Sequence, residues 1–292
     1  MVVRFCGNYA APAWLALLIF VLPPVVRSEP SDFPLSPCTI HYPSDDHLTW
    51  ACRKLKKGEK LEGVFSDRWV DVARFNRIDR RHAIAGVSIK VPHTLEDIST
   101  FSPMPLHHPE AELYEKFVLI DLSEQFLGAY EYGALRFSLP ITTGERGNET
   151  PAGKFRITAA HRFHPSSLYT IEGTTTPYPM TYALRFLTIR DGVSYWIHGR
   201  DVPGKPASHG CIGLYDEAMQ QQYYGNPHDP KLHDAQRLYE WVLAGRSDDG
   251  KLMTLDDGPP VLIIGIAPGE RGPHTAPASP SPEAHPGCTH GE

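Results

Sequence analysis

Basic residues are in short supply in this chain. Lys and Arg number 28 against 34 Asp and Glu, for a formal net charge of −6. Phosphate neutralisation needs a clustered cationic surplus, so a nucleic-acid partner is excluded. Cysteine is scarce as well. The five residues (Cys6, Cys38, Cys52, Cys211 and Cys288) are too few and too scattered for a disulfide scaffold or a paired CxxC zinc site. The 15 histidines include the close sets His161/His164, His107/His108 and His228/His233. None is joined by a cysteine or carboxylate at zinc-ligand spacing, so no metal and no other cofactor is expected. What is abundant is proline (28) and glycine (24), which marks long loop-rich stretches. A hydrophobic fraction of 41% still permits a packed core.

Residues 1–28 differ from everything after them. Arg4 precedes an unbroken apolar run from Trp14 to Leu22, which Pro23 and Pro24 end, and Val26-Arg27-Ser28 follows. This is the composition of a secretory signal, and it places the protein in the periplasm or cell envelope. The rival reading is an uncleaved anchor, since the mostly apolar stretch Tyr9 to Val26 reaches the minimum span of a bilayer. In an oxidising compartment Cys38 and Cys52, 14 positions apart, are candidates for a disulfide that would leave Cys211 free.

The remainder divides by texture. Residues 29–49 and 93–115, rich in Pro with Ser and Asp or His, read as linkers, and 268–292 as a disordered tail. Between the linkers, 50–92 reads strand, helix, helix, strand. Leu61, Val64, Phe65, Val72 and Phe75 recur at helical spacing, and Val87 to Pro92 alternates apolar and polar. Residues 116–267 carry short strands at close intervals: 117–122, 125–132, 135–141, 153–160, 183–189, 193–198 and 260–266. Two helices are expected at 215–224 and 232–244. The fold class is therefore mainly β, a sandwich or barrel-like domain with two short helices beside a small α+β domain. The tyrosines Tyr215, Tyr223, Tyr224 and Tyr239, with Trp241, are expected to form the packing face of the two helices.

Chemistry concentrates at Tyr195-Trp196-Ile197-His198-Gly199 and Ser208-His209-Gly210-Cys211-Ile212-Gly213-Leu214. A nucleophilic thiol needs a base close by and a lowered pKa. His198 ends a strand from which its ring can be aimed at Cys211, and Gly210 allows a tight turn beside it. N–H groups of His209, Gly210 and Cys211 are candidates for an oxyanion hole. A helix starting near Tyr215 would add its dipole in favour of thiolate. On the residues alone, a buried structural cysteine beside ordinary histidines stays equally open.

The pattern HG…SHGC resembles the active-site signature of the YkuD-type L,D-transpeptidases. The resemblance runs over 116–266. Thr143-Gly144 with Thr150-Pro151-Ala152-Gly153-Lys154-Phe155 is similar to that family's TG…TPxG-F segment, and Met180-Thr181-Tyr182 to the stretch lining its substrate channel. It implies Cys211 as nucleophile, His198 as general base oriented by a backbone carbonyl, and Ser208, His209 and Gly210 as turn and oxyanion support. Met180, Tyr182 and Gly199 would contact substrate. The substrate it implies is a peptidoglycan tetrapeptide stem, cut before its terminal D-Ala. A second stem's diaminopimelate as acceptor would give a 3–3 cross-link, a wall-protein lysine would give tethering, and water would make the enzyme an L,D-carboxypeptidase. Residues 50–92 resemble a LysM peptidoglycan-binding module through KKGEKL, the Asn76-centred FNRI and IKVP.

Two departures bear on activity. The family usually carries Arg two positions after the cysteine, where this chain has Gly213. His198 and Cys211 are 13 positions apart, a few fewer than is usual there. A catalytically weak or inactive wall-binding protein is the competing reading.

Overall fold

The computed structural model describes residues 36–99 and 101–269. The signal and most of the tail expected from sequence lie outside them. Over 50–92 the four expected elements are present: β1 (Trp50–Lys54), α1 (Leu61–Phe65), α2 (Trp69–Phe75) and β2 (Ser88–Pro92). β1 and β2 pair antiparallel, with Trp50 opposite Pro92. Leu61, Phe65, Val72 and Phe75, the helical repeat, bury against Leu55, Val87 and Ile89. Asn76 ties the end of α2 to β2. Its side-chain amide donates to the carbonyls of Val72 (2.9 Å) and Lys90 (2.8 Å), and its Oδ1 accepts from the Lys90 N–H at 2.6 Å. Cys38 and Cys52 are bonded, with Cα atoms 6.0 Å apart.

Ten further strands form one sheet. They are β3 (Phe117–Asp121), β4 (Phe126–Glu131), β5 (Ala134–Thr142), β6 (Gly153–Arg156), β7 (Ala159–Thr170), β8 (Pro177–Thr188), β9 (Ser194–Arg200), β10 (Ile212–Tyr215), β11 (Met253–Thr254) and β12 (Pro260–Ile264), in the order β11-β7-β8-β9-β10-β5-β4-β3-β12-β6. Side chains two apart face the same way along a strand. Val118 and Ile120, Leu127 and Ala129, Leu139 and Ile141, Ile212 and Leu214, and Val261 and Ile263 accordingly share one core. Strands from both halves of the sheet feed that core, so the sheet wraps around it as a sandwich does. The opposite faces of β3 and β4 are covered too, because Phe117, Leu119, Phe126 and Tyr130 bury with Met104 and Ala111. Burial on both sides explains why β3 reads as a continuous apolar run.

Helix α3 spans Glu217–Tyr224, capped by Asp216, whose carboxylate accepts from the Met219 N–H at 3.0 Å. Helix α4 spans Asp234–Leu243 and turns Ala235, Leu238, Tyr239 and Val242 into the main core. Among the described residues no helix is long and apolar enough to cross a membrane.

The stretches expected as linkers are packed rather than loose, as far as they are described. Residues 36–49 carry two 3-10 turns and bury Ile40, Tyr42 and Asp45, and 93–115 bury Ile98, Met104 and Ala111. The described residues cluster as one unit rather than as two tethered domains. The reason lies in residues 74–81. Arg74 pairs with Asp234, Arg80 with Glu217 and Arg81 with Asp201. Asp79, fully buried, accepts from the Val202 N–H at 2.7 Å and from Gln220 Nε2 at 2.8 Å, and its own N–H donates to the Val202 carbonyl at 2.8 Å. The Tyr215 hydroxyl lies 3.0 and 3.1 Å from the carbonyls of Ala73 and Ile78.

Arg77, like Asp79 and Tyr215, has no exposed surface. Its guanidinium reaches the Glu124 carboxylate at 3.2 Å, the Glu124 carbonyl at 3.1 Å and Ser44 Oγ at 3.1 Å, and sits 3.9 Å from the centre of the Tyr42 ring. Removing one partner of a buried pair strands the other's charge. Arg77→Met is therefore expected to lower the unfolding free energy by about 3–5 kcal/mol. Urea denaturation would show this as a lower midpoint at unchanged slope, and a loss within error of zero would show that the pair does not hold the two parts together.

Candidate active site

β9 and β10 run parallel, with Ile197 opposite Ile212 and His198 opposite Gly213. That register sets Cys211, just before β10, beside Trp196, and His198 lies two residues further along β9, so the period of two along a strand turns both toward one place. Both line a cleft of about 690 Å³, whose wall also includes Tyr178, Met180, Arg200 and His209.

His198 is 2% exposed, and its Nδ1 lies 2.8 Å from the Gly199 carbonyl. A carbonyl only accepts, so Nδ1 carries the proton and Nε2 presents a lone pair. Burial first, and then the positive charge of Arg200, push the ring's pKa down to about 3. Cys211 is the free cysteine among the described residues and packs with Met180, Ala183 and Trp196. Burial pushes its thiol pKa up, against the opposing pull of the Trp196 backbone N–H and of Arg200. At neutral pH the resting pair is a neutral thiol and a neutral imidazole. The helix dipole expected to favour thiolate is not there to do so. β10 occupies 212–215, and α3 begins only at Glu217.

The turn before Cys211 is held from two sides. Ser208 Oγ donates to the Cys211 carbonyl at 2.5 Å and accepts the Gly210 N–H at 3.1 Å. Thr150 Oγ1 donates to the Gly210 carbonyl at 2.9 Å and accepts the Gly144 N–H at 2.9 Å, while the Ser208 N–H donates to the Thr143 carbonyl at 3.0 Å. The two motif segments around Thr143 and Thr150 are thus the floor of the nucleophile turn. Gly210 has φ +106°, and a Cβ there would lie 2.6 Å from the Tyr195 ring, so only glycine fits. Because the Gly210 N–H is engaged by Ser208, the oxyanion-hole candidates narrow to those of His209 and Cys211. His209 is exposed and stacks on Tyr169 at 4.4 Å between ring centres.

Three residues expected to contact substrate separate. Met180 lines the cleft. Tyr182 does not. Strand alternation would place it with Tyr178 and Met180, but its φ of +52° breaks the alternation, and its ring packs against Tyr239 of α4, 5.6 Å away. Gly199 turns its carbonyl to His198, and a Cβ there would meet Thr181 Oγ1 at 2.2 Å, so its place is behind the imidazole rather than on the ligand. The tyrosines expected on a helix packing face divide likewise, for Tyr215 and Tyr239 are buried whereas Tyr223 and Tyr224 line the cleft.

Sequence reasoning missed Tyr178, Arg200 and Arg81, all cleft residues. Tyr178 follows from Met180, and Arg200 from His198, by the period of two along a strand. Arg81 arrives from the turns after α2 through its pairing with Asp201, for which no local signal exists.

Residues 115–263 match the family model of the L,D-transpeptidase catalytic domain, YkuD. The chain belongs to that family. Among solved structures it is similar to the L,D-transpeptidase from Xylanimonas cellulosilytica, at 18% identity and TM-score 0.41, over 73% of this chain and 98% of that one. It is also similar to L,D-transpeptidase 1 of Mycobacterium tuberculosis, at 19% identity and TM-score 0.32, over 51% of this chain and 62% of that one. L,D-transpeptidase 3 of the same organism, solved with a faropenem-derived adduct, gives 17% and 0.33, over 52% of this chain and 60% of that one. The chain thus spans less than two thirds of the length of the two mycobacterial structures. No curated protein matches it. The family match begins at Glu115, so the LysM resemblance of 50–92 has no support beyond its order of elements.

A neutral resting dyad has a measurable signature. The rate of Cys211 alkylation by iodoacetamide is expected to keep climbing as pH rises past about 8.5, the ordinary thiol value, with no step near neutrality from His198. A flat, fast rate below neutral pH would mark a thiolate–imidazolium pair and overturn this assignment.

Proposed function

We propose that the protein is a peptidoglycan L,D-transpeptidase with Cys211 as nucleophile and His198 as general base. One observation carries the reading: an imidazole whose Nδ1 is locked to the Gly199 carbonyl shares a cleft with the free thiol of Cys211. Since neither group is charged at rest, the proton leaves sulfur for His198 Nε2 as sulfur attacks the amide carbonyl, rather than beforehand. The N–H groups of His209 and Cys211 receive the oxyanion. Collapse of the tetrahedral species breaks the amide bond, and His198 returns the proton to the departing amine, the terminal D-Ala of a tetrapeptide stem. A thioester remains on Cys211. An amine of a second stem attacks it, His198 takes that amine's proton, and the C–S bond breaks to restore the thiol. A wall-protein lysine fits the same step, and water in that role gives hydrolysis. The setting is the periplasm or cell envelope, where such stems are found. In this reading residues 50–92 brace the loop that leads to Cys211.

The rival reading, a wall-binding protein whose catalytic domain has decayed, is disfavoured by the intact turn around Ser208, Gly210 and Thr150. Faropenem, source of the adduct in the M. tuberculosis structure, separates the two. Incubation is expected to add one ligand-derived mass to the intact protein, absent in Cys211→Ala and slowed by about 10²–10⁴-fold in His198→Ala. An unmodified wild-type protein at every pH would end the enzyme reading. Mass analysis of products from a tetrapeptide donor, with and without an amine acceptor, then divides transfer from hydrolysis.

A further inference from the structure

The arginines of the described chain are mostly neutralised. Arg74, Arg77, Arg80, Arg81, Arg162 and Arg246 each hold a carboxylate. Arg146, Arg156, Arg185, Arg190, Arg200 and Arg237 hold none among the described residues, and of these Arg200 is set apart by its place. It lies in the cleft of His198 and Cys211, and among the described residues no carboxylate comes within ion-pair distance of it. Asp201, its neighbour in sequence, turns instead to Arg81 and to Gln220. The Arg200 guanidinium is held by one protein acceptor, the Ala207 carbonyl, 2.9 Å from Nη2, and lies 5.3 Å from the centre of the Tyr178 ring. Its Nε is buried with no hydrogen-bond partner. A buried donor on a charged group, left unmade, is costly unless something completes it.

The side chain is also placed with care. Its stem crosses Gly213 on the neighbouring strand, where a Cβ would lie 2.8 Å from both Cβ and Cδ of Arg200. A side chain at 213 would therefore displace Arg200, and glycine there clears the path by which the guanidinium reaches the cleft. On the sequence, Gly213 looked like the loss of a cation. In the fold, a cation from the adjacent strand lies over that position.

We infer that Arg200 is a carboxylate anchor: the cleft takes an acyl donor bearing a free carboxylate close to the carbonyl that Cys211 attacks, and Arg200 binds that carboxylate. A planar guanidinium suits such a ligand, since it offers two parallel N–H donors to the two oxygens. This deepens the transpeptidase reading by naming the chemical feature that selects the donor, and it rests on that reading only for the identity of the reacting carbonyl.

The test needs no peptidoglycan. Cys211 of the full-length protein is alkylated either by iodoacetate, which is anionic, or by iodoacetamide, its neutral isostere. In both, sulfur displaces iodide from the same carbon and forms a thioether. The ratio of the two rates is expected to fall roughly tenfold in Arg200→Met, the scale of one lost charge-assisted hydrogen bond, and to recover in part in Arg200→Lys. An unchanged ratio in Arg200→Met overturns the proposal. The wild-type protein offers a second arm that depends on no variant. N-acetyl-D-alanine is expected to protect Cys211 from iodoacetamide, and N-acetyl-D-alaninamide is not; equal protection by both overturns the proposal. Either arm gives its answer whether or not the protein transfers an acyl group, so failure here and failure with faropenem are distinguishable.

Discussion

Two parallel neighbouring strands joined by residues 201–211 alone leave the connecting segment little freedom of path. Parallel strands usually need a crossover of about a dozen residues or more, most often through a helix. Here β9 hands over to β10 without one, and the chain must leave the sheet, reverse and return in register with His198 opposite Gly213. The rest of the site hangs on that return. The segment is pinned from outside the catalytic sheet. Asp79 brackets Val202 through both its backbone groups, Ile78 bridges to Pro203, and the Tyr42 hydroxyl donates to the Gly204 carbonyl at 3.1 Å. Gly204 itself, at φ +85°, has Pro37 packed where a Cβ would be. The N-terminal residues thus do for this loop what a crossover helix does elsewhere. They give it a surface to lie on and satisfy its polar groups.

Seen this way, the charge arrangement of the site has a simple logic. Burial raises the energy of any ion in the cleft, so it acts against thiolate and imidazolium together. Arg200 acts on the two in opposite senses. It stabilises an anionic sulfur and destabilises a protonated ring, so its effect on proton transfer between them is only the difference of two opposing contributions. A positive charge that favours the ionised form of one member of the dyad and opposes that of the other is poorly placed to activate it. It is well placed to bind an anionic group of the ligand, and in binding one it is itself neutralised, which relieves the field on His198 when the base is needed.

The catalytic half was largely legible in the sequence, because its signals are local. The strand at 117–122 announces itself as an apolar run and that at 135–141 by alternation, and the turn residues of Ser208 to Gly210 do so by the special backbone geometry they allow. Failures came where a local rule was overridden or where the relevant partner was far away in sequence. β7 runs twelve residues with polar and exposed positions through Pro165, a texture that reads as loop because its outer half faces solvent. Tyr182 left its expected face through a single positive φ, which no periodicity anticipates. Residues 50–92 were read correctly as four elements, yet their role was not legible. Arg74, Asp79, Arg80 and Arg81 look like a solvated surface until partners more than a hundred positions away are known.

Gly213 shows most clearly how a single chain can mislead. Glycine inside a strand weakens it and needs a reason, usually the close approach of something else. Position 213 is flanked by Thr142 of β5 on one side and by Arg200 of β9 on the other, each within 2.8 Å of where a Cβ would stand. A larger residue at 213 and an arginine at 200 are mutually exclusive in this packing. The two positions are therefore one design variable: the cation can be carried on β10 or on β9, but the space beside β10 admits only one stem. Carrying it on β9 puts it two residues from the base, on the strand that also fixes the base's tautomer. The guanidinium and the imidazole are then held by the same strand, and any shift that aligns one for a ligand aligns the other with it.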